Sequence, residues 1–217
     1  MSALNIILTG LECMAKAKPE IKKTEKRVAI FDDCQFTMQG LTQLCERHAG
    51  WRMCGTAGSF SQLLQLLLRQ RVDMVLCGIG RQADDFSRLL TLPGYYPGRC
   101  ILFTDKSSAV LRSTFLSAGF DAVVSKQMSL NALGGLLHYT MYFPQETRMA
   151  ERALTRYLPM ELKVLSALLT GKTPDHIAKK MGISYRAVSR YKQNGLRRAG
   201  LQSLNEILAC QQGGIST

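Results

Sequence analysis

From Val28 onward the chain alternates short apolar runs with helical stretches: VAIFD then FTMQGLTQLCERH, WRMCGTA then FSQLLQLLLRQ, DMVLCGIG then a polar stretch, CILFTD then SAVLRSTFLSAG, and DAVVSK then LNALGGLLHYTMY. Continuous apolar runs of this length read as strands buried on both faces, and the segments between them supply the covering layers. The pattern predicts five β-α units and an α/β fold with a doubly wound parallel sheet. Functional groups gather at the carboxyl ends of such strands, and those ends carry Asp32 and Asp33, Gly78, Thr104 and Lys126.

A different pattern begins near Leu158. Leu162, Leu165, Leu168 and Leu169 recur at spacings of three and four, which puts them on one face of a helix that Gly171 stops. Thr173 followed by Pro174 caps a second helix, with Ile177, Ala178 and Met181 inward, and Gly182 ends it. Ser184 caps a third, whose Ala187, Val188, Tyr191 and Leu196 face inward while Arg186, Ser189, Arg190, Lys192, Gln193, Arg197 and Arg198 face solvent. Two short helices joined by a glycine turn, the second one basic, describe a helix-turn-helix in an all-α domain. Ser203 to Cys210 forms a closing helix.

Charge divides the chain at the same place. The formal net charge is +12. Residues 28–147 hold ten Lys and Arg against nine Asp and Glu, whereas residues 148–217 hold twelve against four and residues 1–27 six against three. A cationic surplus confined to a helical domain and a short arm suits a polyanion partner. The expected organisation is a disordered basic arm over 1–27, an α/β domain over 28–142, a polar linker over 143–156 and the helix-turn-helix domain over 157–217. Seven cysteines, an odd number with no C-x-x-C pair, fit reduced thiols in a cytoplasm. The apolar stretch Leu4 to Leu11 lacks a basic n-region and reads as no signal peptide, and no run reaches the ~18 apolar residues of a membrane span.

An acidic pair after the first strand, a residue after the third, Thr after the fourth and Lys after the fifth resembles the response-regulator receiver domain. The segments LPMELKVL, GKTPDHIA and AVSRYK…RRAGL are similar to helix-turn-helix domains of the LuxR/NarL/FixJ type, with VSRYK nearest to regulators of the Rcs group. The resemblance covers about Val28 to Leu208 and implies a DNA-binding transcription regulator, not an enzyme. It departs at strand three, where the family's phosphate-accepting aspartate is matched by Gly78, which has no nucleophile. Asp73 lies five residues earlier, roughly 16 Å away at ~3.3 Å per residue.

The resemblance therefore implies a receiver-like domain that acts in dimerisation, with Asp32, Asp33, Gly78, Thr104 and Lys126 as a vestigial site, no cofactor and no resident metal. Lys126 is expected to pair with Asp32 or Asp33. His48, His138 and His176 show no ligand spacing. Candidate dimer surfaces are Ala109 to Ser117, Asn131 to Tyr142 and the edge near Lys126, with Leu130, Leu133, Leu136 and Leu137 read as core. In the LuxR type the closing helix also pairs DNA-binding domains.

The partner implied is double-stranded DNA, bound by a homodimer or by a heterodimer with a related response regulator. In the alternative reading the chain modulates a true response regulator and touches DNA only secondarily. On the helix that would enter the major groove, Ser189, Arg190 and Gln193 are assigned to base edges. Arg186, Lys192, Arg197, Arg198, Lys172 and the helix start at Thr173 are assigned to the phosphates, with Ser184 as the cap.

Overall fold

The computed structural model describes residues 25–79, 83–105, 108–143 and 155–212. Five strands, β1 (Lys26–Phe31), β2 (Trp51–Ala57), β3 (Met74–Gly78), β4 (Arg99–Thr104) and β5 (Ala122–Ser125), form one parallel sheet in the order β2-β1-β3-β4-β5. Alternate residues of each strand go to opposite layers. Val28, Ile30, Met74, Leu76, Ile101 and Phe103 meet Leu41 and Cys45 of α1 (Gln35–Glu46) and Leu133, Leu137 and Met141 of α5 (Leu130–Tyr142). Ala29, Phe31, Val75, Cys77, Cys100 and Leu102 face the other layer, formed by α2 (Phe60–Arg69), α3 (Ala83–Thr91) and α4 (Ala109–Ala118). Serine hydroxyls start three of these helices: Ser59, Ser108 and Ser129 accept from the amides of Gln62, Leu111 and Ala132.

Three sequence expectations change here. β1 takes in Lys26 and Arg27 from the predicted arm, because the Lys26 amide donates to Gly50 O at 2.8 Å and the Arg27 amide to Asp73 Oδ2 at 2.9 Å. Residues 1–24 and 144–154, which hold the rest of the arm and most of the linker, lie outside the described residues. The polar stretch after β3 contains the helix α3, whose Phe86, Leu89 and Leu90 are buried at spacings of three and one. Leu130, read as core, is 61% exposed at the start of α5, whereas Leu133 and Leu137 are buried as expected.

The C-terminal helices are α6 (Pro159–Leu169), α7 (Pro174–Met181), α8 (Tyr185–Arg198) and α9 (Leu204–Gln212). They do not stand apart from the sheet domain. Leu165 and Leu169 of α6, Leu196 and Ala199 at the end of α8, Leu201, and Ile207 of α9 belong to the same hydrophobic cluster as Phe86, Leu90, Leu111 and Phe115 of α3 and α4. Burying each large side chain of this kind contributes about 1.5–3 kcal/mol. Polar contacts fix the packing: Tyr157 N donates to Ser117 O at 2.8 Å, Ser166 Oγ to Ser87 O at 3.3 Å, Ser113 Oγ to Ala199 O, and Ser108 Oγ lies 3.3 Å from Cys210 Sγ. Part of the α4 surface, a candidate for dimerisation on sequence grounds, packs against the chain's own α9, while Ala109 and Arg112 remain exposed.

Candidate nucleic-acid interface

The helix-turn-helix is assembled around Val164, Ile177 and Val188, one residue from each of α6, α7 and α8. Gly182 carries φ +65° at the turn between α7 and α8, a conformation that favours glycine. Gly195 lets α8 lie against α6, since a Cβ there would stand 2.7 Å from Leu165 Cδ1. Thr173 Oγ1 accepts from the His176 amide at 3.3 Å and Ser184 Oγ from the Ala187 amide at 3.2 Å, so both predicted caps form. Their hydroxyls are thereby committed to the helices, and what faces outward at Thr173 is the amide end of α7.

This packing leaves one charged face open. Arg186, Arg190, Gln193 and Arg197 are exposed on α8, Ser189 and Lys192 are half-buried beside them, and Lys172 and Thr173 are exposed at the start of α7. Among the described residues, none of Lys172, Arg186, Arg190, Lys192 and Arg197 has a carboxylate within ion-pair distance. Tyr191 is half-buried against the helix-turn-helix core, and the Arg190 guanidinium lies over its ring, 5.5 Å from the centroid. That contact orients Arg190 without consuming its donors.

Arg198 departs from the sequence reading. Its Nε lies 2.9 Å from Glu161 Oε2, and the Glu161 carboxylate, 1% exposed, also accepts the Leu158 amide at 2.8 Å. A buried carboxylate needs a counter-charge, so Arg198 braces α8 against the start of α6 instead of facing a ligand. Glu161 itself sits three residues after Leu158, the residue that precedes α6. That is the spacing of the Glu half of a capping box, a signal that sequence reasoning passed over because Leu158 has no hydroxyl.

At the carboxyl ends of the strands, Asp32 is buried and Asp33 exposed. Lys126 Nζ lies 3.1 Å from Asp32 Oδ2 and 3.6 Å from Asp105 Oδ1, and the Cys34 amide donates to Asp32 Oδ1 at 2.8 Å. Thr104 is buried at the end of β4. Lys126 therefore pairs with Asp32, as one of the two expected alternatives, and with Asp105, which sequence reasoning passed over although it follows Thr104 directly. Burial raises the Asp32 carboxyl above its ordinary range, against the Cys34 amide and Lys126, which lower it. Burial lowers the Lys126 ammonium, but the charge and hydrogen bond of Asp32 outweigh it and leave Lys126 raised.

Gly78 sits directly over this pair. A Cβ on residue 78 would stand 2.0 Å from Asp32 Oδ2 and 2.5 Å from its Cγ, so the Asp32 carboxylate fills the space that a side chain at 78 would need. Asp73 is at the other end of β3, committed to the Arg27 amide and to Arg71 Nε at 3.2 Å. Among the described residues no group of three or more His, Cys, Asp or Glu could hold a metal ion, and no helix is long and apolar enough to cross a membrane.

Comparison with known proteins agrees with this geometry. Residues 159–210, covering α6 to α9, match the family described as "Bacterial regulatory proteins, luxR family". A Pseudomonas aeruginosa protein named "Putative transcriptional regulator" is 26% identical over 199 residues, 84% of this chain and 95% of that protein. Among solved structures, the RcsB response regulator of Salmonella typhimurium covers 89% of this chain and 100% of its own at 20% identity, with a TM-score of 0.51. RcsB from Salmonella enterica serovar Typhimurium bound to promoter rprA in the presence of phosphomimetic BeF3- covers 85% and 97% at 18% identity, also with a TM-score of 0.51. These likenesses show the fold: a receiver-type sheet followed by a helical domain. Residues 159–210 thus form a helix-turn-helix domain of the luxR type, and it follows a receiver-type fold.

Proposed function

We propose that this protein is a sequence-specific, cytoplasmic DNA-binding regulator whose receiver-like domain assembles dimers and does not accept phosphate. The observation that carries this reading is the occupied slot at Gly78. Position 78 has no nucleophile, its side-chain space is filled by Asp32, and Lys126, which in the resembling family contacts phosphate, is bound to that same carboxylate. Full-length protein incubated with labelled acetyl phosphate and Mg²⁺ is expected to incorporate no acid-labile phosphate; stoichiometric incorporation would refute the reading.

With part of α4 packed on α9, α5 offers a surface for assembly beside the edge near Lys126: its Tyr139 is 50% exposed and stacks on the 52% exposed Phe143 at 5.2 Å. An exposed aromatic pair at one helix end is the kind of feature that anchors a protein interface. The partner is a second copy or a related receiver. Sedimentation of the wild type and Tyr139→Glu, alone and mixed with such a receiver, distinguishes these two, and a monomer in every case would remove the dimerisation role. Residues Ser189, Arg190 and Gln193 are proposed to read bases, and Lys172, Thr173, Arg186, Lys192 and Arg197 to hold phosphates.

A further inference from the structure

A crevice runs between α3 of the sheet domain and the α6–α7 pair. It consists of two adjoining chambers of about 230 and 390 Å³ that share Thr91, Ser166, Thr170 and Lys172 as walls. Cations from four places converge on it: Arg88 from the last turn of α3, Lys163 from α6, Lys172 from the turn after α6, and Lys180 from α7. No carboxylate lines either chamber, and among the described residues none of these four cations has an ion-pair partner. Unneutralised cations around a concave surface focus positive potential into it.

The chemistry of the walls narrows the ligand. Three of the four wall hydroxyls are already donated to backbone carbonyls: Thr91 Oγ1 to Arg88 O at 2.8 Å, Ser166 Oγ to Ser87 O at 3.3 Å, and Thr170 Oγ1 to Ala167 O at 2.8 Å; the fourth, Ser87 Oγ, is buried and has no partner among the described residues. A neutral polyol would find only Ser87 Oγ free. What the crevice offers is ammonium and guanidinium N–H, which suits phosphoryl oxygens. One chamber is also bounded by Ala167, Ile177 and Met181, an apolar wall that could cover a flat ring beside the phosphates.

We propose that this interdomain crevice binds a nucleoside di- or triphosphate, with Arg88 and Lys163 gripping the phosphates from opposite domains and Ala167, Ile177 and Met181 covering the base. Such a ligand neutralises the mutual repulsion of cations that the docked domains bring together, so it stabilises the contact between α3 and α6. The site is separate from the pocket at Asp32 and does not depend on the reading of that pocket.

Calorimetric titration of the full-length protein with ATP, inorganic triphosphate and adenosine, at one fixed salt concentration, tests the proposal. Saturable binding of ATP and triphosphate, tighter for ATP, with none for adenosine, is expected. The exposed pair Arg88→Gln/Lys163→Gln, neither assigned to DNA, should keep the wild-type thermal unfolding and weaken ATP at least about tenfold, the loss expected for two charge-assisted contacts. Absence of saturable binding by either anion would overturn the proposal, as would full ATP affinity in the double variant. If instead that variant lost duplex affinity and kept ATP binding, the crevice would be a DNA-backbone contact and the proposal would fail. Loss of ATP binding in Arg190→Ala alone would place the anion on α8 and equally refute it.

Discussion

Asp32 reaches Lys126 through the space that a side chain at position 78 would occupy, 3.1 Å from carboxylate oxygen to ammonium nitrogen. Gly78 is therefore a steric requirement of the ion pair as well as a missing acceptor. Gly78→Ala is expected to cost about 3 kcal/mol, from forced repacking and displacement of a buried charge. In urea denaturation the double variant Asp32→Ala/Gly78→Ala should lose much less than the sum of the singles. Strict additivity would mean that the two positions do not compete for one volume.

Lys126 is the only cation within ion-pair distance of Asp32 among the described residues. Lys126→Met leaves a buried carboxylate without its counter-charge, at about 3 kcal/mol near neutral pH. The pH dependence has a definite sign. Asp32 titrates above its unfolded value of 3.8, so the folded state binds its proton more tightly, and the penalty is absent below 3.8, grows as pH rises from there to the folded value and is complete above it. Without Lys126 that penalty is larger, so the deficit of the variant should shrink on acidification. A deficit constant from pH 7 down to pH 4 would contradict the assignment.

Two adjacent arginines separate stability from binding. Arg198→Ala removes the partner of buried Glu161 and should lower the stability of the helix-turn-helix by about 3 kcal/mol. Arg197→Ala, exposed and unpaired among the described residues, should leave unfolding unchanged and weaken DNA. Guanidinium denaturation and duplex titration of both variants would show the opposite pattern if α8 were rotated from this placement.

On the same helix, Arg190→Ala is expected to cost about 1–3 kcal/mol of affinity and to relax base preference, while Lys192→Ala should weaken all duplexes alike and reduce the salt slope by about 1. Affinities measured over a salt series for specific and scrambled duplexes distinguish the two roles. Equal losses on both duplexes for Arg190→Ala would end its assignment to a base.

The thiols should sort by environment. Burial pushes Cys45 up to about 12 and Cys77 and Cys100 well above their ordinary value, whereas the Thr37 hydroxyl lowers Cys34 at the start of α1. Iodoacetamide at pH 8 should therefore modify Cys34 at least about 100-fold faster than those three. Peptide mapping with time gives the order, and early labelling of Cys77 would show that the sheet opens on that side.

The strands were legible because a sheet covered on both faces leaves no polar alternation, and β3, buried from Met74 to Gly78, is the clearest instance. The helices α7 and α8 were legible from their caps, since Thr173, Gly182 and Ser184 each announce a local geometry. The helix α3 was hidden because its polar opening, Ala83 to Asp85, masks the apolar Phe86, Leu89 and Leu90 behind it. Gly78 could be read as lacking a nucleophile, but not as a slot filled by Asp32, because that depends on distance across two strands. Arg198 was assigned to DNA because periodicity places it on the charged face of α8, while its partner belongs to another helix. The sequence likewise marked α4 as a surface in search of a partner and α9 as a closing helix without showing that they pack on each other.

That last contact bears on how such a chain can be recombined. Leu165, Leu196 and Ile207 complete a core whose other half is Phe86, Leu90 and Phe115. A chimera carrying a foreign receiver would leave these side chains in water unless the graft also brought matching α3 and α4 surfaces. The helical half is thus not an interchangeable module: its inheritance is tied to that of the sheet domain through a shared apolar core.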